Sequence, residues 1–248
     1  VGVGTTTPDA KIQSVGTSIF GADGQTATGN FSFVGGGNGN EITGARAASL
    51  GGTSNTVTGQ DAAVIASSSS LAGSFRSVVL AGSTDTITGG GSVASGAGNT
   101  ITSTNSFVAG GNDNTISGSR SFIGAGQNNT VTGSNSAAFG DANTVSTQSS
   151  VALGTSNTVG GGNSIIFGNG NANSAANSIV GGTSSLASNQ MSLAVGVSDT
   201  ASGYASFAVN SGNTASGNQS AAFGSNNTAA SGGEFVVGMN ATEYTATN

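Results

Sequence analysis

The sequence predicts an all-β solenoid, and three observations carry that prediction. From Ser18 to Gly233 the chain repeats about fifteen times with a period of 14 or 15 residues. Apolar residues keep fixed positions within each repeat, which a flexible Gly/Ser-rich linker has no reason to do. Those residues are Val, Ile, Phe and Leu, types that fit a pleated strand. A unit this short cannot bury its own apolar face, so the copies must stack. With strands roughly 4.8 Å apart, the stack predicts a rod about 70 Å long.

Residues 1–17 precede the repeats as a lead-in segment, and the start at Val1 predicts a piece of a longer chain. The repeat domain covers 18–233, and 234–248 reads as a terminal rung followed by the start of a neck or linker. Each repeat opens on Ser or Ala, runs through three small or apolar residues to a polar turn, and closes on a stretch like Asn129-Thr130-Val131-Thr132-Gly133. Gly44, Gly59, Gly118, Gly133, Gly203 and Gly217 fall where the chain must turn, and they predict positive φ at those corners. Arg46, Arg76 and Arg120 each end a 15-residue repeat, which predicts an exposed corner.

The second strand of each repeat alternates, predicting one buried face and one face in water. Its outward positions form a candidate exposed ladder: Thr56, Thr58, Thr86, Thr88, Thr100, Thr102, Thr130 and Thr132. The first strand is apolar at three consecutive positions, as in Val78-Val79-Leu80 and Ile165-Ile166-Phe167, so both its faces need cover. One face can look into the coil. The other predicts association with further copies of the chain. Side chains two apart on that outer face compensate in size, as in Phe33 with Gly35, Phe122 with Gly124, and Ala137 with Phe139. The predicted packing residues between chains are Phe33, Phe107, Phe122, Phe139, Leu153, Phe167, Phe207 and Phe223. The inner pairs shrink along the chain, from Val34/Ile42 and Ile123/Val131 to Ala208/Ala215 and Ala222/Ala229.

Ser150-Val151-Ala152-Leu153-Gly154, Ser192-Leu193-Ala194-Val195-Gly196 and Ser220-Ala221-Ala222-Phe223-Gly224 resemble the head repeats of trimeric autotransporter adhesins (YadA-like heads), which bacteriophage tail-fibre proteins also carry. The resemblance implies a left-handed parallel β-roll, packed side by side as a homotrimer. It also implies an extracellular place, on a bacterial cell surface or a virion tail fibre. Residues 1–12 are similar to a lead-in found ahead of such heads, and Glu234-Phe235-Val236-Val237-Gly238 to a terminal rung before a neck. On this reading the chain is a non-enzymatic segment of a trimeric fibre, displaying weak contacts to a host receptor or glycan many times over.

Composition narrows the chemistry. With no His and no Cys, triad, thiol and His-metal schemes are excluded. Four basic residues cannot match a row of phosphates, so nucleic acid is not an expected partner. No apolar run approaches the ~18 residues of a membrane span. Ten acidic residues share few repeat positions and read mainly as solvated corners, so no catalytic residue, cofactor or metal site is expected. Asp85 and Asp199 stand where other repeats have Asn, which suggests a turn-forming or stacking role. Phe31 and Phe75 read as corner residues touching a neighbouring chain, or as a ligand patch.

Two alternatives to adhesion stay open. A Thr-x-Thr ladder is how several β-solenoids meet ice, although here it gives way to Ser, Gly and Ala after Thr144. Polysaccharide cleavage between chains would need paired carboxylates from neighbouring copies.

Overall fold

The computed structural model describes residues 16–21 and 24–238, together with the backbone of Tyr244–Thr245. All of the lead-in except Gly16 and Thr17 lies outside the described residues, as does most of the segment beyond Gly238. The described chain is all strand and turn, with no helix, and it coils through about sixteen turns. Each turn supplies a first strand to one parallel sheet and a second strand to another.

Two compact units divide the chain, Val1–Asn114 and Thr115–Asn248. In the first, the first strands run from Ser18–Ile19 to Phe107–Val108 and the second strands from Thr26–Ala27 to Thr100–Ile101. Every strand pairs in parallel with its equivalent one turn away: Phe33 faces Ala48, Val64 faces Val79, and Thr86 faces Thr100. In the second unit, first strands run from Phe122–Ile123 to Phe235–Gly238 and second strands from Thr115–Ile116 onwards. There Leu153 faces Phe167 and Thr130 faces Thr144.

Stacking in register puts like residues above like, and the coil interior sorts into four columns. Two are apolar. The inner residues of first and second strands, such as Val34 with Ile42, Ile123 with Val131 and Ala222 with Ala229, are fully buried. They taper from Val and Ile to Ala along the chain, as the alternation predicts. The other two columns are polar. One begins each turn (Ser77, Ser92, Ser150, Ser164) and the other precedes each second strand (Asn55, Asn99, Asn143, Asn157), and all of these are buried.

Buried amides must be paired, and the stack pairs them. The Asn143 Nδ2 donates to Asn129 Oδ1 (3.0 Å), the Phe139 carbonyl (3.2 Å) and the Gly154 carbonyl (2.8 Å). Its Oδ1 accepts from Asn157 N (3.1 Å) and Asn157 Nδ2 (3.0 Å). The serine column repeats the scheme with hydroxyls: Ser136 Oγ donates to Thr147 O at 2.8 Å and accepts from Ser150 N at 3.1 Å. Each turn is thereby tied to the next through side chains as well as through the sheets.

Longer repeats hold their extra residue between the first strand and the Asn column. In the first unit Ile65 faces Leu80 and Ser67 faces Gly82, which leaves Ala66 and Ala81 outside the pairing as bulges at positive φ.

The predicted corner glycines do a different job. None of Gly44, Gly59, Gly118, Gly133, Gly203 and Gly217 has positive φ. They are glycine because the next turn lies directly on them. A Cβ on Gly44 would overlap the Gly59 carbonyl, and one on Gly133 the Thr147 carbonyl. The left-handed positions fall instead on Asp61, Asn105, Asn135 and Ser149, just before the Ser column, and on Ser54, Asn128 and Ser156, just before the Asn column. Exposed Asn, Asp and Ser accept that conformation at modest cost.

Gly133→Ala therefore presses a methyl group into backbone that cannot yield, and is expected to cost about 1–3 kcal/mol. Gly110→Ala is the control, because a Cβ there meets nothing within 4 Å. Thermal unfolding should show a lowered midpoint for the first and little change for the second.

Candidate functional site

The outer face of the second-strand sheet follows directly from this interior. Because the residue between each pair of ladder positions is locked inward (Val57, Ile87, Ile101 and Val131 are fully buried), its neighbours must point out. Thr58, Thr88, Thr102 and Thr132 are exposed, and Thr56, Thr86, Thr100 and Thr130 are half-buried. All eight predicted ladder residues thus share the outward side. Thr stacks on Thr in register, Thr86 on Thr100 in the first unit, and Thr115, Thr130, Thr144 and Thr158 in turn in the second.

This geometry makes a two-dimensional array. Along the stack the hydroxyls repeat every ~4.8 Å, and along a strand every ~6.6 Å. β-branching restricts χ1, so the array is stiff as well as regular. Glu41 and Leu71 interrupt the first column in the first unit, and Ala172 and Leu186 in the second. The decay after Thr144 is less complete than expected. Thr200, Thr214 and Thr228 resume the column in register, with Ser202 and Ser216 beside the first two.

On the opposite sheet the outward residues are large and apolar. Phe33, Phe107, Phe139, Leu153, Phe167 and Phe207 are each roughly two-fifths exposed, while Phe122 and Phe223 are half-buried. Two of the rings lie over glycines of adjacent turns. The Phe139 ring occupies the space a Cβ on Gly124 would need, and the Phe167 ring does the same at Gly181. Phe122 and Phe139 meet edge to face, with centroids 5.4 Å apart. Size compensation therefore runs between turns as well as within a strand.

The corner residues stack too. Arg46 forks onto Asp61, with Nε to Oδ1 at 2.6 Å and Nη2 to Oδ2 at 3.0 Å. That hydrogen bond holds the Asp61 carboxyl below its usual range. Arg76 lies 4.4 Å from the centre of the Phe75 ring, and Arg120 Nε donates to Asn135 Oδ1 at 2.8 Å. Phe31 is the most exposed ring of the described residues, at 69%.

The reading of the acidic residues as mainly solvated corners needs one correction. Asp85 and Asp199 are not solvated corners: both are fully buried in the Asn column, in the stacking role their position suggests. Asn173 sits in the apolar inner column, where its Oδ1 accepts from Gly160 N (3.1 Å) and its Nδ2 donates to Ala175 O (3.0 Å). The recurrence of Asn at one repeat position marks the amide column in the sequence, but its inward direction emerges only from the stacked coil. Among the described residues no three His, Cys, Asp or Glu side chains converge.

A family model described as a grass antifreeze beta roll matches residues 42–140 and 87–181, which together span more than half of the chain. No curated protein sequence matches it. The family match overturns the resemblance to YadA-like adhesin heads and tail fibres, and with it the adhesive reading. The structure explains why the motif misleads. In Ser150-Val151-Ala152-Leu153-Gly154 the Ser is a buried column member, the Ala is the inner residue, the Leu faces out, and Gly154 has a φ of 120°. These are demands of a narrow 14-residue coil, whatever its outer faces do. Chain number is implied by that resemblance alone.

Since the ladder hydroxyls point away from the core, Thr88→Ala, Thr102→Ala and Thr132→Ala should each change stability by no more than about 0.5 kcal/mol. Asn143→Ala should instead cost several kcal/mol, because it strands up to four partners at about 1–3 kcal/mol each. Denaturant unfolding of the four variants separates the outer face from the interior column.

Proposed function

The chain belongs to the grass antifreeze β-roll family, and on that premise we propose that it binds ice through the threonine face of its second-strand sheet. One observation carries the reading: outward Thr-x-Thr positions recur inside the family-matched region, at Thr56/Thr58, Thr86/Thr88 and Thr100/Thr102 in one unit and at Thr130/Thr132 in the other, where Thr144 and Thr158 continue the first column in register.

Regular spacing in two directions gives the face a repeat that a crystal lattice can meet many times. Each hydroxyl and methyl pair makes a weak contact with ordered water, and rigidity lets the contacts add because little conformational entropy remains to be lost. Uncharged Thr suits a lattice that has no charge to meet, and the face is flat because a buried residue anchors the strand between each outward pair. Ice growth would then be blocked where molecules adsorb, by surface coverage, with no reaction and no cofactor. Such a protein works where ice first forms, outside the cell.

A second reading concerns the opposite face. The column that includes Phe139, Leu153 and Phe167 leaves large apolar surface in water, which favours self-association. Sedimentation at micromolar concentration checks it: a folded lone molecule would end that idea without touching the first.

Thermal hysteresis and ice-crystal shaping test the main reading. The native chain should show both, and Thr88→Tyr, Thr102→Tyr and Thr132→Tyr should each remove most of the activity while leaving the unfolding midpoint near that of the native chain. No hysteresis and no shaping from the folded protein, or full activity in all three variants, would sink it.

A further inference from the structure

The Asn column contains two residues that cannot play the part of Asn in the ordinary ionised form. Each column Asn uses its Oδ1 to accept from the next turn and its Nδ2 to donate to carbonyls. Asp85 keeps the first half: its Oδ1 accepts Asn99 N and Asn99 Nδ2, both at 2.9 Å. Asp199 does likewise toward Asn213, at 2.8 and 3.1 Å. The other oxygen of each, Oδ2, is buried and has no hydrogen-bond partner.

The position of that oxygen is known by comparison with its Asn equivalents. A Cβ placed on Gly82 would fall against the Gly96 carbonyl oxygen and 2.8 Å from Asp85 Oδ2. A Cβ placed on Gly52 would fall against the Ser67 carbonyl oxygen and 2.7 Å from Asn55 Nδ2. Asn55 Nδ2 donates to that Ser67 carbonyl at 2.6 Å. Asp85 Oδ2 therefore stands where the column needs a donor, facing a carbonyl oxygen. Asp199 Oδ2 has the same pair of neighbours, Gly196 and the Asn210 carbonyl. In both cases the preceding column member is a serine, whose Oγ accepts the aspartate N–H at 3.2 Å.

We propose that Asp85 and Asp199 are proton-binding sites built into the coil: each is held as a neutral carboxylic acid whose Oδ2–H donates to a backbone carbonyl, Gly96 for Asp85 and Asn210 for Asp199. An ionised oxygen at that place would set negative charge against a carbonyl oxygen, with no positive charge on the surrounding strands to neutralise it. No charged or titratable residue lies on the strands packed around Asp85, which are Leu71–Ala72, Val78–Ser83, Val93–Ala97 and Thr100–Ile101. The same holds around Asp199 for Leu186–Ala187, Leu193–Val197, Phe207–Ser211 and Thr214–Ala215. Burial is the largest influence on both groups and pushes each carboxyl up from its ordinary range, opposed by the amide groups of Asn99 or Asn213 and, at Asp199, by the Asn210 N–H.

The sign of the pH effect follows. A carboxyl that binds its proton more tightly in the folded chain contributes its full stability below the ordinary carboxylate range, and that contribution is lost as pH rises through the folded pKa.

The experiment is an infrared difference spectrum of the intact chain against Asp85→Asn/Asp199→Asn, taken at about pH 7, with thermal unfolding of both from about pH 4 to about pH 8. The native chain should show the carbonyl band of a protonated acid that the double variant lacks. Its unfolding midpoint should fall with rising pH, and the double variant should flatten that dependence. Absence of the acid band, or an equal pH dependence in native chain and double variant, overturns the proposal. Asn already fills this column in neighbouring turns, so the variant is expected to fold. If it does not, the band in the native chain and its weakening in Asp85→Asn alone decide the matter.

Discussion

Register is what everything else in this molecule rests on, and the buried amide and hydroxyl columns enforce it. A parallel coil of Gly, Ser, Thr and Asn has little apolar surface to bury, and its inner pairs shrink to Ala against Ala toward the C-terminal end. Hydrophobic burial alone would permit adjacent turns to slip. A slip of one residue would turn every side chain to the wrong face and break each Asn-to-Asn bond at once. Because a member such as Asn143 is bonded to the turns on both sides, the penalty for misalignment accumulates along the stack. Regularity on the outer faces is a by-product of that internal bookkeeping.

Close stacking also decides where glycine is needed. At Gly44, Gly59, Gly118 and Gly133 the next turn passes so near that a Cβ has no room, whereas the left-handed corners are filled by Asp, Asn, Ser and even Arg46 and Arg76. Exposed polar residues tolerate positive φ because a local strain of this kind is small beside a steric overlap of backbone on backbone. The corners then become stacked columns themselves, as Arg46 on Asp61 and Arg120 against Asn135 show.

The two outer faces have opposite character for the same reason. One inward residue per second strand leaves two small polar residues outside, and the array of Thr is flat and uncharged except at Glu41. The first strand carries its bulk outward, and rings such as Phe139 and Phe167 lie over glycines of adjacent turns. The ice contact proposed above uses the first face, and the proposed self-association the second.

Much of this is legible in the sequence. The period, the alternation of Thr56-Val57-Thr58, the outward ladder and the buried inner pairs all follow from the spacing of residue types, since side-chain direction in a strand has a period of two. The repeat motif itself misled about kinship, because Ser-x-Ala-x-Gly describes the inside of any narrow coil and says little about its outside. Sequence by itself determined the solenoid, its turn length and which residues share a face. Tertiary structure alone decided that the recurring Asn and Ser point inward, that the corner glycines such as Gly44 and Gly133 serve close approach instead of positive φ, and that Asp85 and Asp199 have an oxygen facing a carbonyl. Those outcomes depend on the distance between one turn and the next, and a contact between residues fourteen or fifteen apart has no signature until the chain is wound.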